Sequence, residues 1–219
     1  MERVLRNAAQ QYARAQQHVD DIDVLHANVV DAKKRVVRLA RRAKALHRYL
    51  ARVQPDVAQT DSAFKDAVSE LCARDSRVLD DALFQVAVEC AQLKAFTEAD
   101  LEKMKKAVHE LERVASSASA TLLANTAQNA TAFKDVQIGP VPSLADLHEG
   151  LQTVATMARN ELRLVTNIVQ SAAAAADDDD DDDDEAIALV ALQPCIDRGV
   201  LDAIFERAKP LRAYATKER

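Results

Sequence analysis

Between residues 33 and 53 the chain reads KKRVVRLARRAKALHRYLARV, with nine cations, Lys33, Lys34, Arg35, Arg38, Arg41, Arg42, Lys44, Arg48 and Arg52, and no acid. Ammonium and guanidinium groups at this density do one kind of chemistry well: they hold the oxygens of a polyanion. The apolar letters between them say how the cations are presented. Val36, Leu39, Ala43, Leu46, Leu50 and Val53 alternate steps of three and four, the a and d positions of a heptad. On that wheel Lys34, Arg41 and Arg48 fall at f, Arg38 and Arg52 at c, Lys44 at b, and Lys33, Arg35 and Arg42 at the flanking e and g positions. Most of the charge therefore points away from the seam and is expected to meet a partner together. A solvated face bridged to an acidic helix is the plainer reading of a charge run, but a stripe without acids lacks the usual i to i+4 pairs.

Two polyanions compete. Nucleic-acid readers add aromatic residues or a compact recognition element, and Tyr49 is the one aromatic in this stretch, so nucleic acid is the poorer match. Lipid headgroups need only the charge, at about 1 kcal/mol per Lys or Arg near an anionic leaflet. Anionic membrane lipids are the expected partner.

Other chemistry is thinly represented. The chain has no Gly-rich phosphate loop and no GxSxG, and His148-Glu149 continues as Gly150-Leu151-Gln152, without the second His of a zinc protease. His18, His26, His47, His109 and His148 do not recur at ligand spacing, and Cys72, Cys90 and Cys195 are isolated and odd in number. The run Asp177–Asp184 lacks the alternating ligands and turn glycine of a calcium loop. Asn129-Ala130-Thr131 reads as a chance sequon. These absences predict no catalytic residues, no metal, no cofactor and no enzyme.

The elements that must carry the basic stripe follow from composition. Among 219 residues there are three Gly, five Pro and no Trp, with little turn chemistry and few strand formers. An all-α fold of few, long helices is predicted. Charge is segregated: residues 1–53 carry twelve cations against five acids, and the acidic block 177–185 accounts for the formal net charge of -6. The a series runs unbroken from Ile22 through Val29, Val36, Ala43 and Leu50, with Leu25, Ala32, Leu39, Leu46 and Val53 at d. Val29, Val36, Leu39, Leu46, Leu50 and Val53 are the predicted seam.

Phe64, Leu71 and Val78 keep the same phase, so a first helix over 3–74 is expected to bend near Pro55 and continue. A second helix over 76–131 is predicted, bent near Phe96, where Thr97–Asp100 resembles a capping box. Gly139, Pro140 and Pro142 mark a turn, and Ser143 with Asp146 reads as the cap of a third helix over 143–176, whose seam is spoiled by Glu161 at d. An acidic insertion, 177–185, is expected to stay solvated, before a C-terminal helical segment over 186–219 cut by Pro194, Gly199 and Pro210. Rods of this length expose apolar edge, for which a homodimer is the expected solution. The N-terminus lacks the apolar core of a secretory signal, and AIALVAL at 186–192 is too short to span a bilayer, so a cytoplasmic, peripherally membrane-associated protein is expected.

Residues 43–72, AKALHRYLARVQPDVAQTDSAFKDAVSELC, resemble the first-helix segment of amphiphysin-type BAR domains, with Tyr49-Leu50, Phe64 and Leu71 at its aromatic and seam places. Residues 93–117, LKAFTEADLEKMKKAVHELERVASS, are similar to the middle of that family's second helix. The resemblance implies an elongated antiparallel three-helix coiled-coil bundle with kinked long helices, a crescent-shaped dimer, and a cationic surface that senses or induces membrane curvature in vesicle trafficking or endocytosis. The aspartate insertion and the single Lys134 in the turn that would be the family's basic tip depart from it. The alternative is a structural coiled-coil protein of a cytoskeletal or vesicle-tethering assembly.

Overall fold

The computed structural model describes residues 2–53, 62–128, 141–171 and 180–215. All of these segments are helical or connect helices, with no strand among the described residues. The elements are α1 (Glu2–Val53), α2 (Ser62–Gln128), α3 (Leu144–Ser171), α4 (Asp180–Ala191) and α5 (Arg198–Ala208), then a 3-10 turn (Lys209–Leu211) and the short α6 (Arg212–Ala215).

Two boundaries differ from expectation. α1 is helical to Val53. The predicted bend at Pro55 lies outside the described residues. α2 then runs unbroken through Arg74, Asp75 and Ser76, so the predicted division of the first helix from the second near residue 75 is not found. Neither Gly nor Pro stands there to stop a helix, and a cap residue alone does not start one. The same holds at Phe96: α2 continues, and Thr97 is buried with its hydroxyl donating 2.8 Å back to the Leu93 carbonyl instead of capping a new helix.

Ser143 does cap α3. Its Oγ accepts from the Asp146 amide (3.1 Å) and donates to Asp146 Oδ2 (2.7 Å), and its own amide donates to the same carboxylate (3.3 Å). Of the acidic insertion, 177–185, the residues from Asp180 onward are helical and open α4. Acidic sequence at a helix N-terminus has the favourable sign for the dipole.

The chain forms two compact units, Met1–Val29 with Asp100–Arg219, and Val30–Ala99. In the larger one α1 and α3 run parallel: the offset of 135 residues that joins Tyr12 to Leu147 also joins His26 to Glu161. α2 runs against both, through Gln11 with Ser117, and through Ser119 with His148 and Arg159 with Glu112. α4 and α5 pack on α3. Gly150 makes the seat for α5, since a Cβ there would lie 2.7 Å from Tyr12 Oη and 3.0 Å from Ile204 Cγ2. Tyr12 is buried, donates to the Leu147 carbonyl at 2.6 Å, and meets Phe205 edge to face with centroids 6.1 Å apart.

In the smaller unit the described α1 and α2 segments pair with each other. Leu39, Val86 and Leu93 are its buried centre, with Ala32, Val36, Ala43, Leu46 and Cys90 packed round them. The register explains where the units divide. Buried positions of α1 follow Leu5, Ala8, Tyr12, Ala15, Val19, Ile22, His26 and Val29 in alternating threes and fours, then step three again to Ala32. In α2 the series Val86, Cys90, Leu93, Thr97 steps four twice in succession to reach Leu101. Each helix changes heptad phase at its passage from one unit to the other. The unbroken seam predicted from Ile22 through Leu25 is thereby corrected: His26 holds the buried place and Leu25 is partly exposed.

Candidate polyanion interface

The nine predicted cations divide between sides of α1. Lys34, Arg35, Arg38, Arg42 and Arg48 are exposed. Lys34, Arg38 and Arg42 stand at i, i+4 and i+8, one row along the helix, and Tyr49, 58% exposed, extends that row seven residues past Arg42. Lys33, Arg41 and Lys44 occupy a different side, with Val37, which is buried; they are half-buried and each makes a polar or electrostatic contact. The Arg52 side chain lies outside the described residues. Of the predicted seam, Val29 and Leu39 are buried, Val36, Leu46 and Leu50 partly so, and the Val53 side chain lies outside the described residues.

α2 completes this face. A shallow groove is lined by Arg35 of α1 with Phe84, Gln85, Val88, Glu89, Gln92, Leu93 and Phe96 of α2. Phe84 is 70% exposed and Phe96 67%. The groove therefore has an aromatic and aliphatic floor beside a cationic rim. Its acid, Glu89, sits 3.9 Å from Arg35 with both side chains about half exposed, a pair worth only a few tenths of a kcal/mol at most such sites.

Sequence reasoning missed this apolar partner of the cations. RVLDDALFQVAVECAQLKAF reads as uniformly apolar, yet it carries two stripes: Val86, Cys90 and Leu93 turn toward α1, while Phe84, Val88 and Phe96 do not. Assigning residues 77–96 to separate helical faces would have found it, since a two-helix unit has room to bury only one.

A second polar cluster lies in the larger unit. Glu161 is 0% exposed and His26 3%. One carboxylate oxygen accepts from the Cys195 amide at 3.0 Å. The other lies 3.2 Å from His26 Nε2, though outside hydrogen-bond geometry, so the contact is one of proximity. Asp23 accepts two bonds of 2.7 Å from Arg198 and one of 3.2 Å from Gln193, which adopts a positive φ of 49° in the α4–α5 turn. Burial first, and then the charge and hydrogen bond of Glu161, push the Cys195 thiol above its ordinary range. A thiol held protonated beside a carboxylate is the reverse of an activated nucleophile. The cluster fastens the α4–α5 turn to α1 and α3. In sequence, Glu161 was visible only as a blemish at d, and His26 was recoverable by carrying the Leu5–Ile22 phase forward by one step of four.

Among the described residues no group of three or more His, Cys, Asp or Glu is placed to hold a metal ion. No described helix is long and apolar enough to cross a membrane. Comparison with protein-family models, with curated proteins and with solved structures finds no match.

Proposed function

We propose that this protein is a non-catalytic module that docks peripherally on anionic membranes through the smaller unit, using Lys34, Arg35, Arg38 and Arg42 with Tyr49 on α1 and Phe96 on α2. The observation that carries the reading is the groove that sets Arg35 beside the exposed Phe96 on one surface. Arginines at headgroup level with aromatic side chains beside them match the layering of a bilayer interface, phosphate outside and acyl chain within. Lys33, Arg41 and Lys44 take no part in this face. The BAR-like reading extends the proposal to a curved homodimer that senses or shapes membrane on the cytoplasmic side, in vesicle trafficking or endocytosis.

Co-sedimentation with vesicles of phosphatidylcholine and phosphatidylserine tests it. Binding should rise with phosphatidylserine and fall with salt; retention indifferent to both overturns it. The second reading, a coiled-coil component of a cytoskeletal or vesicle-tethering assembly, is favoured by the exposed Phe84–Val88 stripe and would stand if vesicles are not bound at all.

A further inference from the structure

The smaller unit leaves one face of α2 uncovered. Its buried cluster against α1 is only Leu39, Val86 and Leu93, while Phe84 and Val88 remain 70% and 40% exposed on the side of α2 turned from α1. Around them the exposed residues Arg77, Asp81, Phe84, Val88, Ala91, Ala95 and Glu98 advance in unbroken steps of four and three. That is a second heptad seam, separate from the one that meets α1.

Its charges select the occupant. Read from its N-terminal end, the face carries a cation at Arg77, acids at Asp80 and Asp81, an apolar centre at Phe84, Val88 and Ala91, a cation at Lys94 and an acid at Glu98. A copy laid parallel would set each charge against its like. A copy laid antiparallel about Val88 sets Arg77 beside Glu98, Asp80 beside Lys94, and the large Phe84 beside the small Ala91, each pair occurring twice.

We infer that a second copy of this chain docks on the outer face of α2, antiparallel, with the two-fold axis passing near Val88. The seam from Arg77 to Glu98 spans roughly 30 Å of helix. An antiparallel pair has its two-fold normal to the plane of the two helices, so the Lys34–Arg38–Arg42 rows of both copies emerge on the same side. The dimer doubles the cationic face, which raises avidity for a charged surface without a new contact. This consequence rests on the membrane reading; the docking itself does not.

Disulfide trapping in the absence of lipid tests the docking, so that its outcome is separate from that of vesicle binding. In full-length protein with Cys72, Cys90 and Cys195 replaced by Ala, Val88→Cys should form a covalent dimer on mild oxidation, because Cα atoms within about 7 Å can be bridged. Phe84→Cys should not, since antiparallel pairing separates it from its twin by about 11 Å along the axis. Both positions are exposed, which spares the fold. Light scattering should give a dimer mass, reduced toward the monomer by Arg77→Glu or by Glu98→Arg and restored by the two together. Trapping at both cysteines means parallel pairing and overturns the inference. So does a monomeric mass for the unmodified chain, or a double charge swap that stays monomeric. Loss of vesicle binding by Phe84→Asp in a chain that is monomeric throughout would assign the face to lipid instead, and equally overturns it.

Discussion

Neutralising Lys34, Arg38 and Arg42 together, each to Gln, probes the proposed interface most directly. All three are exposed on one row of α1, and Gln keeps helix propensity, so folding stability should move by less than about 0.5 kcal/mol. Each cation near an anionic leaflet contributes about 1 kcal/mol, so the triple variant should lose about 3 kcal/mol, roughly a hundredfold in partitioning onto phosphatidylserine-containing vesicles. The comparison set is Lys33, Arg41 and Lys44, also to Gln: the same change in net charge, made on half-buried residues of another side of α1. That variant should lose far less binding, whatever it does to stability. Co-sedimentation at fixed lipid and rising salt reads both, with the wild-type advantage shrinking as the screening length falls from about 10 Å toward 3 Å. Equal losses from the two variants would show that total charge, and not this face, drives binding. An unchanged first variant would remove the interface altogether.

Gly150→Ala should destabilise the larger unit by about 1–3 kcal/mol in urea titration, because the added methyl meets Tyr12 Oη at 2.7 Å and Ile204 Cγ2 at 3.0 Å, on two different helices. Burial, with a smaller contribution from Asp146, raises the Tyr12 phenol well above its ordinary value of 10.0; the stability this represents is complete below the ordinary value and is lost as pH climbs above it. Alkaline melting curves should therefore fall more steeply for wild type than for Tyr12→Phe, which itself should cost about 0.5–1.5 kcal/mol at neutral pH for the lost bond to Leu147. At neutral pH Cys195 should alkylate slowly. Glu161→Gln should speed it by removing the charge that helps keep the thiol protonated, though only in part, because burial is the larger cause; site-resolved mass spectrometry after iodoacetamide reads this, and an unchanged rate would refute the carboxylate's role.

The helical class was legible from three Gly, five Pro and no Trp, and the α3 cap from Ser143 with Asp146 three residues on. Both are local signals, fixed by propensity and by a side chain within reach of its own backbone. The seam from Ala32 through Leu46 was legible for the same reason, since burial on a helix is written in its period. Breaks were over-read at Asp75 and Phe96, where Ser76 and Thr97 look like caps but sit inside an uninterrupted hydrogen-bonded helix. Capping residues signal a start only when something before them prevents helix, and nothing there does. The division of the nine cations was not legible, because it depends on what else covers α1, and Val37 gives no sign in sequence that it is buried.

Polar residues at seam positions carry the information that periodicity lacks. An ionisable side chain at a buried d position is costly unless other groups meet its oxygens, so Glu161 on α3 implies an element beyond the seams of α1 and α2. The α4–α5 turn is that element: it brings the Cys195 amide to one carboxylate oxygen, while Gln193 and Arg198 bind Asp23 on α1. Replacing Glu161 by Leu would mend the heptad of α3 and remove the acceptor that receives the turn. The blemish in the third heptad is therefore one of the contacts that hold the α4–α5 turn against the bundle.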